Sequence, residues 1–359
     1  MEWEYFRLSK RLSLPGEVTE TLYRKIAYID AIKNTFTLTG QLLPQTVNRL
    51  THSVIVTSTG ASNRIEGNLL SDNEVEKIVK NHNIRSFKTR DEQEVAGYSE
   101  VLQRVFEHYK DIPLTESTIL QLHRDMLQYS KKDQRQRGEY KFGSNRVEAK
   151  DTQGNLMGIV FDPTPPFLVK KEMQELLAWY HWAIEHEFRH PLLLAANFIF
   201  EYLAIHPFQD GNGRTSRLLT NLMLLQHGYA FTHLVSHERL IEGNKADYYL
   251  SLNKTQKSWK TEQERMEPWF LFLLEVFYKQ AEEAETLLKQ NQFEYLLSEK
   301  QLAFWQWAKT KNSFSRKNVI EELGYPTRTA EAVILKLYEM KRLERLGQGR
   351  ATRYRPVID

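Results

Sequence analysis

The 359-residue chain contains no cysteine. That excludes disulfides, thiolate metal sites and a cysteine nucleophile, and it fits a reducing compartment. The chain also lacks any run approaching the ~20 uncharged apolar residues that a membrane helix needs. Its first residues, "MEWEYFRLSKRLSLPGEV", carry charge throughout and no apolar signal core. A cytoplasmic protein with no membrane partner is expected. Internal repeats and low-complexity segments are missing as well. What is present is 41% hydrophobic and 12% aromatic residues, enough for real cores in two or three domains. The net charge of +3 hides an asymmetry. Lys309 to Asp359 hold 12 Lys+Arg against 6 Asp+Glu, leaving 37 against 40 for the rest. The basic C-terminal end raises the question of a polyanionic partner.

Periodicity is helical along most of the chain. "LPQTVNRLTHSVIVTSTGASNRIEG" starts with Pro44 and stops at Gly67, a reading of one helix over about 45–67. Ser71 with Glu74 three residues on has the capping-box spacing. "TRDEQEVAGYSEVLQRVFEHY" and "TESTILQLHRDML" are further amphipathic helices. The texture then changes at 139–162, where β-branched and aromatic residues flank Asp151–Gly154 and signal a β-hairpin. "DPTPPF" closes it as an extended stretch. Helices resume through "PLLLAANFIFEYLAI", then from Thr215 "TSRLLTNLMLLQHG", and then a long helix up to about residue 290. The last 65 or so residues read as three short helices and two strands, the layout of a winged helix-turn-helix domain. "GYPTR" is its turn and 327–342 its recognition-type helix.

Chemistry concentrates in residues 206–217, "HPFQDGNGRTSR". Gly211, Asn212 and Gly213 can turn successive N–H groups into an anion-binding nest. The helix that follows points its N-terminal dipole at the same place. Arg214 and Arg217 add fork-shaped cations suited to phosphate. Asp210 at the rim suits Mg²⁺ shared with those phosphates. His206 can accept a proton from an approaching hydroxyl, and Phe208 between them reads as an inward anchor. Together these residues point to phosphoryl or nucleotidyl transfer, although a bare Gly-Asn-Gly between helices is most often only a turn.

The stretch resembles the signature of the Fic (filamentation induced by cAMP) family, His-x-Phe-x-Asp/Glu-Gly-Asn-Gly-Arg-x-x-Arg, with every specified position filled. The resemblance covers roughly residues 10–290. It implies a mainly α fold, with a helical core at 96–290, the hairpin 139–162 as a flap that aligns the target by strand pairing, and an N-terminal region at 1–95. The C-terminal winged helix-turn-helix domain, 291–359, lies outside it. The implied activity moves AMP from ATP, with Mg²⁺, onto a Ser, Thr or Tyr hydroxyl of a target protein. His206 would be the general base and Asp210 the metal ligand. Gly211, Asn212 and Gly213 would form the anion hole, and Arg214 and Arg217 would grip the β- and γ-phosphates. Tyr248 and Tyr249 in "NKADYY" resemble a pair lining the nucleotide pocket. "SNRIEGN" resembles the inhibitory motif of the self-inhibited members, which implies that Glu66 pairs with Arg217 in the γ-phosphate position. In some relatives the same glutamate assists removal of AMP.

Two alternatives stay open. One is a DNA-binding regulator whose Fic body only senses nucleotide. The other is a transferase of UMP, phosphocholine or a γ-phosphate, or an enzyme that removes AMP. Arg328, Lys336, Arg345, Arg350, Arg353 and Arg355 suit DNA phosphates, and they equally suit a solvated face on a domain used for dimerisation or target docking. Self-modification and a homodimer are further partner expectations. The remaining histidines show no convincing metal-ligand spacing, with a residual zinc option at His181, His186 and His190.

Overall fold

A helix whose every residue from Leu192 to Ile205 is buried has no solvent face and has to sit at the centre of its body. That helix is α8 (Pro191–Ile205) in the computed structural model, which describes residues 7–39, 44–80, 87–145, 147–150, 156–292, 297–347, 349 and 352–357. The described residues are mainly helical and fall into two units, one within 1–284 and one within 285–359.

The helices of the first unit are α1 (Arg7–Lys10), α2 (Gly16–Thr39), α3 (Pro44–Ile65), α4 (Asp72–Lys80), α5 (Arg90–His108), α6 (Glu116–Met126), α7 (Pro166–Glu185), α8, α9 (Asn212–Gln226), α10 (His237–Gly243), α11 (Lys245–Gln256) and most of α12 (Glu267–Gln292). Helix α8 packs between α7 and α9, while α3 lies against α5, α10 and α9. The amide of Asn197 and the carboxylate of Glu201, both buried in α8, are compensated. The Arg11 Nε donates to the Asn197 Oδ1 at 2.6 Å and its Nη1 to the Glu201 Oε2 at 2.6 Å. A buried carboxylate held by a buried guanidinium avoids the cost of an isolated charge.

Backbones approach closely where α5 crosses the end of α6. A Cβ added at Gly97 would stand 2.0 Å from the Met126 carbonyl oxygen, and backbone cannot swing aside as a side chain can. Gly97→Ala is expected to lower stability by about 1–3 kcal/mol or more, seen as a reduced Tm in thermal unfolding; an unchanged Tm would mean that the two helices can part freely.

Strands β1 (Val147–Lys150) and β2 (Leu156–Phe161) form the expected antiparallel hairpin, with Val147 opposite Phe161 and Lys150 opposite Leu156. The predicted turn at Asp151–Gly154 lies outside the described residues. In the second unit, α13 (Glu299–Ala308), α14 (Arg316–Leu323) and α15 (Thr327–Glu339) precede the antiparallel pair β3 (Leu343–Leu346) and β4 (Arg353–Pro356). Phe314 bridges to Tyr354, and Phe304, Trp305, Val333 and Leu337 fill the core. Helix α15 stops at Glu339 rather than Arg342, because Lys341 turns to φ 57 and the chain leaves for β3.

Candidate active site

The site forms where α8 stops and α9 starts. His206 caps α8 in the left-handed region, φ 53 and ψ 61, a conformation that costs a non-glycine residue roughly 1–2 kcal/mol. Its N–H donates to the Tyr202 carbonyl at 2.9 Å, and its ring Nδ1 lies 3.1 Å from the Leu203 carbonyl. A carbonyl only accepts, so Nδ1 carries the proton and Nε2 keeps its lone pair. Burial pushes His206 down to about 4, and the Lys141 cation acts in the same direction. The imidazole is therefore neutral at pH 7, with a basic nitrogen unencumbered by its own proton.

Gly211 is the N-cap of α9 at φ 83. A Cβ there would come within 2.8 Å of the Met126 Cε and 3.4 Å of the His123 Nε2, so both the backbone and the space require glycine. The helix begins at Asn212, three residues before the expected Thr215. The Asn212 side chain is the reason: its Oδ1 accepts the Phe208 N–H at 2.8 Å and its Nδ2 donates to the Phe208 carbonyl at 2.7 Å. That clamp folds the loop tightly enough for Asn212 to enter helical geometry. The first-turn N–H groups of Asn212, Gly213 and Arg214 have no carbonyl within their own helix, and the helix dipole makes this mouth attractive to anions.

Two buried guanidinium groups flank the mouth. Arg214 makes only long contacts, 3.4 Å to Glu94 and 3.3 Å to Asp210, and its Nε and Nη1 lack hydrogen-bond partners. The Arg217 Nε donates to the Ser62 Oγ and its Nη2 to the Ser62 carbonyl and the Glu66 Oε1, all at 2.8 Å, while its Nη1 is unpaired. Buried donors left unfilled are costly, and an anion with several oxygens fills them best. Burial alone would lower Arg217, but Glu66 beside it holds it above its ordinary value.

Glu66 stands one residue past the end of α3. The Gly67 N–H reaches the Arg64 carbonyl at 3.1 Å and the Asn68 N–H the Asn63 carbonyl at 3.1 Å, with Gly67 at φ 99. These are the two bonds of a Schellman cap, and they fix Glu66 as the C-cap residue. Its carboxylate lies against the first turn of α9, since a Cβ on Gly213 would sit 2.1 Å from the Glu66 Oε1. Tyr248 on α11 is buried, and its hydroxyl feels the charges of Arg217 and Glu66. Tyr249 is partly exposed and its hydroxyl lies 3.4 Å from the Ile65 carbonyl. Both tyrosines thus gather at the end of α3.

Asp210 keeps a side chain 39% exposed. Its Oδ1 accepts the Gly211 N–H at 2.6 Å and its Oδ2 an Arg90 Nη2 at 2.8 Å. Burial would raise it, but Arg214, the Gly211 N–H and Arg90 hold it below the usual carboxylate range. Among the described residues, no group of three or more His, Cys, Asp or Glu is placed to hold a metal ion by itself. His181, His186 and His190 go separately to the Leu114 carbonyl, the Trp182 carbonyl and Asp30, which removes the zinc option among them.

The sequence did not point to several residues of this site. His123 stacks flat on Phe208, centroids 3.6 Å apart, and its Nε2 lies 3.0 Å from the Asp210 carbonyl. The Gly138 N–H donates to its Nδ1 at 3.0 Å, so the proton sits on Nε2, and burial pushes the ring down to about 4. Lys141, Asn145, Arg90 and Glu94 also surround the loop. Their only sequence signal was position on a helix face or before a strand.

A model of the Fic/DOC family matches residues 113–224, which span α6 to α9. A protein adenylyltransferase Fic of Nematostella vectensis is 30% identical over 198 residues, 54% of this chain and 41% of that one. One of Drosophila yakuba is 31% identical over 191 residues, 52% and 35%. The chain thus spans well under half the length of these curated relatives. Among solved structures, a Fic family protein from Desulfovibrio desulfuricans G20 superposes with a TM-score of 0.62 at 22% identity, covering 94% of this chain and 95% of that one. A Fic domain containing signaling protein from Bacteroides thetaiotaomicron VPI-5482 gives 0.60 at 23% identity, covering 73% and 97%.

Proposed function

We infer that this chain, which carries a Fic/DOC family domain over residues 113–224, transfers AMP from ATP to a hydroxyl of a protein target and is held in check by Glu66. The observation that carries this reading is the pairing of an unprotonated His206 Nε2 with an adjoining helix mouth flanked by two buried, incompletely bonded arginines.

In the proposed reaction the target oxygen attacks the α-phosphorus of ATP. The new bond is O–Pα, the Pα–O bond to the β-phosphate breaks, pyrophosphate leaves, and the hydroxyl proton goes to the His206 Nε2. The N–H groups at Gly213 and Arg214 take phosphate oxygens, and both arginine side chains take the remaining negative charge. His206 is held by its N–H bond to the Tyr202 carbonyl and by its Nδ1 bond to the Leu203 carbonyl, so its base nitrogen does not need to be oriented at the moment of reaction.

A single, partly exposed carboxylate fits Mg²⁺, which keeps several waters and leans on substrate phosphates rather than on a protein cage. Asp210 would hold it, exchanging the Arg90 and Arg214 contacts for the ion. When bound, the ion neutralises phosphate charge.

The second unit has three helices followed by an antiparallel strand pair, and we read it as a winged helix used for protein docking. Arg316 pairs with Glu331 on α15 and Arg355 with Glu344, so these cations are already neutralised. Leu335 and Tyr338 on α15 are exposed instead. The exposed Leu335 and Tyr338 support docking against a protein surface, while Arg328, Lys336, Arg345 and Arg353 make no ion pair among the described residues and keep DNA phosphates as the second reading.

The direct test uses ATP labelled at the α- or the γ-phosphate, with Mg²⁺, the Glu66→Gly protein and its candidate targets. Label entering protein from the α-position alone supports AMP transfer, and label on the enzyme itself reads self-modification. Label from the γ-position overturns the reading in favour of a kinase-like transfer.

A further inference from the structure

Besides the Asn212 clamp, the loop that carries His206 is held by groups outside the signature. The Ile205 carbonyl, one of the last in α8, accepts the Lys141 Nζ at 3.1 Å. The His206 and Phe208 carbonyls accept the Asn145 Nδ2 at 3.2 and 2.8 Å. The Pro207 carbonyl accepts the Lys141 N–H at 2.9 Å. The Gln209 side chain accepts the Gly143 N–H at 3.3 Å. Lys141 and Asn145 are joined to each other, Nζ to Oδ1, at 2.7 Å. Four consecutive carbonyls, 205 to 208, are thus held by two residues of one short segment. That segment runs directly into β1, the first strand of the hairpin, two residues after Asn145.

We propose that Lys141 and Asn145 are positioning residues that tie the root of the β1–β2 hairpin to the base nitrogen of His206, so that a target segment engaging the hairpin tightens the catalytic loop as well as binding. The proposal rests on the AMP-transfer reading above. Three physical points support it. Helix C-termini leave carbonyls unsatisfied and carry partial negative charge, and a buried ammonium answers both needs at Ile205. The left-handed His206 is costly in isolation, so it persists only where neighbours over-determine it, and Asn145 bonds the carbonyls of His206 and of the residue two further on. Finally, burial of Lys141 lowers it to about 8, with Asp162 and Glu172 opposing and Lys260 reinforcing the shift. Of the charged groups that act most on the His206 ring, Lys141 favours the neutral form while Glu66 and Asp210 favour the charged one.

The test is made in the Glu66→Gly protein, with AMP transfer to a fixed target and equilibrium ATP binding measured side by side. Asn145→Asp keeps the acceptor for Lys141 and removes the donor to both loop carbonyls. It is expected to lower kcat roughly 10- to 100-fold, in line with catalytic loss from slight misplacement, while ATP affinity stays within about twofold. Lys141→Met is expected to lower kcat and to move the His206 ring titration, followed by NMR, toward higher pH, because the opposing cation is gone. Lys141→Arg restores the charge and should recover part of both effects. Unchanged kcat in Asn145→Asp, with transfer by the parent intact, overturns the inference alone. So does a kcat loss matched by an equal loss of ATP binding, or a His206 titration unmoved by Lys141→Met. Absence of any transfer by the parent overturns the AMP-transfer reading and this inference with it.

Discussion

Glu66→Gly is expected to raise AMP transfer roughly 10- to 100-fold over wild type, mostly through tighter productive binding of ATP. The size follows from what the contact removes. Glu66 bonds Arg217 at 2.8 Å and lies against Gly213 at the mouth of α9, the two places where a phosphate would bind. Displacing such a coupled contact typically involves about 1–3 kcal/mol. The variant removes the carboxylate alone, because Gly67 and Asn68 supply the cap bonds through their backbones. Arg217 stays in place through the Ser62 Oγ and carbonyl. Labelled-AMP incorporation and ATP titration of both proteins check it. Equal transfer by wild type and variant would mean that Glu66 is a structural cap and that regulation lies elsewhere. Glu66→Gln separates charge from shape: if repulsion of phosphate is the mechanism, the amide should already release a large part of the inhibition.

His206→Ala in the Glu66→Gly protein is expected to lower kcat by about a thousandfold, within the range for loss of a general base, and to leave the ATP KM within about twofold. His206→Asn gives the same loss and guards against misfolding, because asparagine tolerates the left-handed conformation. The pH profile of kcat/KM supplies an independent reading. In the proposed reaction the neutral ring is the active form, and burial holds it down to about 4. Activity is therefore expected to be flat from about pH 7 down to about pH 5 and to be lost as the pH falls further and Nε2 takes a proton. An acid limb centred near the ordinary histidine value of about 6.5 would show that the ring is solvated during turnover. Undiminished transfer by both variants would remove His206 from the chemistry.

Much of the helical layout was legible because amphipathic periodicity is local. Helices α5, α6 and α8 lie within a residue or two of where their apolar positions and caps put them. Thr89 and Glu92 show why: N-cap and N3 side chains satisfy each other's backbone within four residues. Helix α2, whose Leu22, Ile26 and Ile29 carry a buried stripe, is found only in the structure. The start of α9 was misjudged for a different reason. Asn212 reads as a turn former by composition, and only its bonds to the Phe208 backbone convert it into the first residue of a helix.

By itself the sequence determined the chemical content of the site, because its groups lie within twelve consecutive residues. A helix end, a left-handed cap and a helix start arrange them through backbone geometry that needs little help from afar. Tertiary structure decided everything that depends on distant groups meeting. Glu66 reaches Arg217 across 151 positions of sequence, and His123 takes the Asp210 carbonyl across 87. Lys141 and Asn145 hold a loop more than 60 residues away. The charge state of His206 belongs to the same category, since desolvation is a property of the whole packed body rather than of any segment.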